Sequence, residues 1–267
     1  MRTRHIAAIV LRQVYLLRGS PTRVLPLFAW IAIDVMLWGF ITRYLNAIAS
    51  PGFDFVPAML GAVLLWDFLS RVMQGVTMAF FEDVWSRNLL AIFASPLSRA
   101  EYVTGLVLTG ICTSLLGLAV MLVLASLAFG LSFMSYGLVT VPVLGVLFLF
   151  GIALGVAGSA MVLRFGPAAE WLIWPLPAVL SPFASVFYPI STLPTWMQPL
   201  SLALPPSHVF ETLRTITQGG QADYGALLLA LGLSLIYLAA AAAFFAHVHG
   251  LCIRNGLIAR YSAESVT

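Results

Sequence analysis

Lysine is absent from this chain: all 13 basic side chains are arginine. A phosphate-binding loop of the GxxxxGK[ST] type needs a lysine to reach the nucleotide, and no such string occurs. If ATP drives this protein, another chain binds it. Charge of either sign is sparse, at 9% of residues, against 61% hydrophobic. With a mean hydropathy of +1.01, so few charges cannot cover a soluble domain of this size. The two cysteines, Cys112 and Cys252, make neither a disulfide framework nor a zinc pattern. His208, His247 and His249 are spread out without metal-ligand geometry, so no metal is expected. No N-x-[ST] acceptor is present. Strand alternation of the kind that builds membrane barrels is missing as well.

What the chain has in quantity is apolar blocks about 20 residues long, the length that crosses a bilayer as a helix. The expectation is an all-α, multi-pass membrane protein with six spans: 23–45, 56–81, 101–129, 137–163, 168–189 and 224–249. The fifth carries Pro175, Pro177 and Pro182, so it should be kinked and pack inside the bundle or line a cavity. Ahead of the spans, residues 2–18 repeat Ile6, Ile9, Val10, Val14 and Leu17 at helical spacing, with Arg4, Arg12 and Arg18 towards the other side. Such a basic amphipathic helix lies in the membrane interface. The first apolar block is read as a retained span rather than a cleaved leader.

Arginine sets the orientation. With the N-terminus inside, Arg2, Arg4, Arg12, Arg18, Arg23, Arg87, Arg99, Arg164, Arg254 and Arg260 are cytoplasmic, and only Arg43 and Arg214 fall outside. Both termini are then cytoplasmic. So is the connection between spans two and three, where polarity gathers: Glu82, Asp83, Arg87, Arg99 and Glu101. The spacing predicts a short helix over 83–95, opened by Glu82 and Asp83 because negative charge suits a helix N-terminus. Trp85, Leu89, Ile92 and Phe93 share one face, and Pro96 ends it. Ser98 and Glu101 then form an S-x-x-E capping box before the next apolar run. On these residues alone the helix is either a shield for two span ends or a lever that docks into another protein.

Charges inside spans are costly and so point to function by default. Asp34 lies in span one. Asp67 and Arg71 lie in span two at i, i+4 and can pair along one face. They either form a neutralised pair that fixes packing or a dimer contact, or a polar wall of a transport path. Between spans five and six, 194–204 and 207–217 are each too short to cross about 30 Å of hydrocarbon. Prolines flank both, and Trp196, Met197, Leu200 and Phe210 are too apolar for free solution. An external re-entrant or interfacial hairpin over 190–217 is expected.

Two stretches carry a resemblance. EDVWSRNLLAIFASPLSRAEYVTG, residues 82–105, resembles the cytoplasmic coupling segment of ABC-2 type permeases, the membrane subunits of ABC exporters. FYPISTLPTWMQPLSLALPPSHVFETLR, residues 187–214, resembles the segment before that family's last span, on Pro189, Pro194, Trp196, Pro205 and Arg214. Order and spacing agree over nearly the whole chain, read as one transmembrane domain over 1–267 with the interfacial helix at 1–20. A departure is Thr104-Gly105-Leu106, where many relatives have a lysine after the glycine.

The resemblance implies a permease subunit without catalytic residues of its own. Its partners would be a cytoplasmic ABC ATPase that binds ATP and Mg, a second permease copy in a homodimer, and membrane lipids, with no nucleic acid. Glu82, Asp83, Trp85, Arg87, Leu89, Phe93 and Pro96 would couple to the ATPase. Asp34, Asp67 and Arg71 would line the substrate path, and Pro189, Pro194, Trp196, Pro205 and Arg214 would form an external gate. The location implied is the bacterial inner membrane. Cargo would be amphipathic or lipid-linked: an oligosaccharide, a lipid or a lipophilic drug. The competing reading is a secondary transporter driven by an ion gradient through Asp34, Asp67 and Arg71. No internal repeat supports that, and it leaves the coupling-like helix unexplained.

Overall fold

A computed structural model describes residues 3–19, 21–48, 56–86, 92, 94–131 and 137–256. Among them there is no strand. The first helix, α1, is Thr3–Arg18, and α2 is Pro21–Ile48. A π-helical turn, Val56–Leu60, leads into α3, Gly61–Trp85. Then come α4, Arg99–Phe129, and α5, Thr140–Phe165. After a 3-10 turn, Pro167–Ala169, the short helices α6, Glu170–Ile173, and α7, Leu176–Leu180, follow. A second 3-10 turn, Ile190–Thr192, precedes α8, Gln198–Ala203, and α9, Pro205–Thr217. The last helix, α10, is Tyr224–Arg254.

Five helices are long and apolar enough to cross a membrane: Phe28–Ile48, Ala58–Trp85, Ala100–Phe129, Gly137–Phe165 and Tyr224–Arg254. Helices are what such sequences must form in lipid, because every backbone N–H and C=O has to be satisfied within the segment. Their outward faces are apolar. Leu127 is 82% exposed and Leu228 71%, exposures that suit lipid and not water.

The core forms around α3, gripped from two sides at glycines. A Cβ on Gly155 of α5 would lie 2.8 Å from the Met73 carbonyl oxygen, and one on Gly110 of α4 would lie 3.0 Å from the Val76 amide nitrogen. Without side chains there, the backbones approach closely, which is how helices associate when lipid supplies no hydrophobic drive. The Thr77 hydroxyl takes advantage of this approach, donating to the Gly155 carbonyl at 3.3 Å and to Met73 of its own helix at 2.9 Å.

Contacts along the helices give their directions. Phe80 meets Tyr102, and Gly75 meets Gly110, so α3 and α4 are antiparallel. Ser234 donates to the Val146 carbonyl and Cys252 to the Leu163 carbonyl, both at 3.3 Å, so α5 and α10 run the same way. The chain between Phe165 and Tyr224 must therefore return to the other end of the bundle. It does so without the single helix expected over 168–189. Pro175, Pro177 and Pro182 each remove a donor and crowd the preceding turn, and the segment breaks into the Pro167–Ala169 turn, α6, α7 and irregular turns.

Two ends result. At one, α1 sits on the start of α4, Ser86 follows the end of α3, and Phe245 of α10 meets Phe80 edge to face with centroids 6.2 Å apart. At the other, Phe210 of α9 meets Trp66 near the start of α3 at 6.1 Å, and Trp38 of α2 stacks on Phe187 at 5.6 Å. The first is called the basal end below and the second the outer end.

Candidate functional site

At the basal end, Asp83 is 1% exposed. Its carboxylate accepts hydrogen bonds from the Arg12 guanidinium of α1 and from the Tyr102 hydroxyl of α4, the latter at 2.7 Å. Alongside, His5 of α1 and Glu101 of α4 are 3.1 Å apart through Nδ1 and Oε2. Glu101 also completes the expected capping box. Its Oε2 accepts from the Ser98 amide at 3.0 Å, and the Ser98 hydroxyl accepts from the Glu101 amide at 3.2 Å. Three helices thus converge on one carboxylate with a second hydrogen-bonded pair beside it. The fit of α1 depends on Gly105, where a Cβ would come within 2.8 Å of the Ile9 Cβ.

Several expectations for this region change. Glu82 and Asp83 do not open a short helix. They lie in the last turn of α3, which runs unbroken to Trp85, with Ser86 donating back to the Glu82 carbonyl at 3.0 Å. Nothing in Phe81–Trp85 interrupts a helix, and the buried face of Phe80, Asp83 and Val84 continues the core of α3. Asp83, buried and ion-paired, presents nothing to a partner. Arg12 turns inward and away from the outward polar face expected for it, because Asp83 is there to receive it. Trp85 is half exposed and stacks on Phe81 at 5.4 Å. Pro96 is exposed at the bend before α4. Arg87, Leu89 and Phe93 lie outside the described residues.

Within the bundle, the structure brings Asp34, Asp67 and Arg71 together. Arg71 Nε donates to Asp67 Oδ2 at 2.7 Å, and Arg71 Nη2 lies 4.0 Å from Asp34 Oδ2. The side chain of Asp34 is the most open of the three, at 36% against 20% for Asp67 and 13% for Arg71. Gly117 of α4 lies beneath, where a Cβ would meet Arg71 Cδ at 3.5 Å and Ile31 Cδ1 at 3.6 Å. The i,i+4 pair that spacing suggested is formed, and a carboxylate from α2 joins it across the bundle.

At the outer end, two short helices, α8 and α9, follow one another across Leu204. Pro205 is buried as the first residue of α9, where its missing N–H costs nothing. Pro194 is exposed and its carbonyl accepts from Met197 at 2.9 Å. Pro189 precedes the Ile190–Thr192 turn, and Trp196 projects at 66% exposure. Arg214 points into the fold, donating through Nη2 to the Ser185 carbonyl at 2.9 Å and pairing with Glu211 at 3.0 Å.

Sequence reasoning missed Arg12, Tyr102, Ser185 and Glu211. Glu211 is three residues before Arg214, a spacing that signals a helical ion pair. Arg12 and Asp83 are 71 positions apart, and no local pattern joins them.

A family model described as "ABC-2 family transporter protein" matches residues 42–247. The match takes in the end of α2, the whole α3–α4 connection, the broken return segment, the hairpin and most of α10. No match to a curated protein was found.

Proposed function

The chain belongs to the ABC-2 family of transporters, and from that premise we propose that it is the permease of an ATP-driven exporter, coupled to its ATPase through the basal end. As a multi-pass membrane subunit of an ABC transporter it associates with an ABC ATPase. In the proposal that ATPase is cytoplasmic and supplies ATP and Mg binding, two permease copies pair, and the return segment counts as a sixth crossing. Both termini and the basal end face the cytoplasm of a bacterial inner membrane. The cargo is amphipathic or lipid-linked, an oligosaccharide, lipid or lipophilic drug, and leaves beside the outer hairpin.

One observation carries this reading: the joint of Arg12, Asp83 and Tyr102, with His5 and Glu101 beside it. The connection from Ser86 to Ser98 is bounded by the end of α3 and the start of α4, and this joint ties both to α1. A displacement that reaches the end of α3 or the start of α4 is then transmitted to all three helices. The asymmetry of charge across the chain, with arginine concentrated at this end, supports a cytoplasmic placement.

Asp34, Asp67 and Arg71 serve in this reading as a polar stretch of the substrate path. An ion-gradient transporter would use the same three groups, but the family match favours ATP. The test is a cysteine at Ser86, which is exposed beside the end of α3. The expected outcome is a crosslink from Ser86→Cys to the ATPase in the assembled complex. Labelling of that cysteine only from the external side would overturn orientation and coupling together.

A further inference from the structure

We propose that Glu211 and Arg214 form a clasp that joins the turn over 185–190 to the hairpin as one rigid cap, with Glu211 as its positioning residue. The two charges sit one turn apart on α9 and reach opposite ends of the same turn. The Glu211 carboxylate accepts from the Ile190 backbone N–H at 2.6 Å, and Arg214 donates to the Ser185 carbonyl at 2.9 Å. The ion pair between them, at 3.0 Å, holds each in place for its backbone partner.

The turn itself needs holding. Ser185 is fully buried and is the one described non-glycine residue with positive φ, at 53°. A side-chain-bearing residue stays in that region only when its surroundings over-determine it. Here they do. The Ser185 hydroxyl lies 3.0 Å from the Ser201 hydroxyl of α8, and the Ser207 hydroxyl of α9 donates to the Ser201 carbonyl. The last turn of the broken return segment, α8 and α9 are therefore tied by the buried hydroxyls of Ser185, Ser201 and Ser207, with Glu211 and Arg214 partly exposed beside them. Such a network resists partial opening, because each released serine would be left buried without a partner. The cap moves as a unit, or the whole set breaks.

The clasp stands on geometry alone, whereas its place in transport rests on the exporter reading. Two measurements separate them. The first is hydrogen exchange of the full chain in lipid nanodiscs, followed in the peptide covering Phe187–Met197. Glu211→Gln replaces a charged acceptor by a neutral one, and the Ile190 amide should exchange about tenfold faster. A disulfide between Ser185→Cys and Ser201→Cys, at positions whose hydroxyl oxygens lie 3.0 Å apart, should restore protection in the Glu211→Gln background. Unchanged exchange in Glu211→Gln overturns the clasp, and so does loss of protection that the disulfide fails to restore. The second is ATP hydrolysis by the permease–ATPase complex carrying the same disulfide in the wild-type background. A rigid cap predicts equal rates in the oxidised and reduced forms. Hydrolysis that is blocked on oxidation and recovers with reductant would show that the cap must open internally, and would overturn the proposal. Failure of the wild-type chain to bind any ABC ATPase would instead count against the exporter reading, and leaves the exchange result standing.

Discussion

The two ends of the bundle are both fastened by charge, but in different ways. At the basal end three side chains from three helices meet each other: Arg12 from α1, Asp83 from α3 and Tyr102 from α4. At the outer end two charges from one helix grip backbone atoms of a neighbouring turn. A side-chain joint links whole helices to one another. A grip on backbone fixes the path of the chain itself. The basal end thus ties whole helices to one another, and the outer end fixes the local path of the chain.

The contrast breaks hardest at Arg12. Arg12→Ala leaves Asp83 buried without its cation, and removing one partner of a buried pair costs about 3–5 kcal/mol. Thermal unfolding in nanodiscs should show a large loss, and proteolysis should release α1 first. Asp83→Asn in the same background should recover much of it. If Arg12→Ala proved no worse than Arg18→Ala, at the exposed end of α1, the joint would not be a fastening. Tyr102→Phe tests the same joint more gently. It removes one hydrogen bond to a charged acceptor and keeps the ring against Phe80, for an expected cost of about 2 kcal/mol. At the outer end, Arg214→Lys keeps the charge and loses the planar fork that reaches Glu211 and the Ser185 carbonyl at once. Its expected cost is about 1 kcal/mol, seen in the same unfolding measurement, with exchange of the 187–197 peptide raised and the basal end unaffected. A spread of the effect to α1 would show that the ends are coupled in stability.

Much of this was legible because it is local. Span lengths, the amphipathic helix over Thr3–Arg18, the Ser98–Glu101 capping box and the Asp67–Arg71 pair all depend on residues within a few turns, and spacing reveals them. The two short helices before the last span were legible through prolines and a run of apolar residues. What escaped depends on the register between distant segments. Glu82 and Asp83 suit a helix start by charge, yet the same helix continues through them because Asp83 finds Arg12 in the folded chain. The return segment was expected as one kinked span, but its prolines are spaced too closely for any helical run of useful length to survive between them.

The smallest change in stability is expected at Trp196, and it decides what the hairpin does. The indole is 66% exposed and makes none of the clasp's hydrogen bonds. Trp196→Ala should therefore shift folding stability by no more than about 0.5 kcal/mol, as exposed substitutions do. Its ring suits the membrane–water boundary, where the apolar body meets lipid and the N–H stays wet. On the exporter reading, losing that anchor lets a cap held rigid by Glu211 and Arg214 sit at the wrong depth. The chain should insert, bind its ATPase and unfold normally, while export in vesicles, normalised to assembled complex, falls. The rigidity of the cap makes this outcome sharper, since a loose loop would absorb the loss locally. Unchanged export would show that the hairpin's position is set from within the bundle, by the contacts of Phe210 with Trp66 and of Phe187 with Trp38. The gate would then have to lie deeper, towards Asp34 and Arg71.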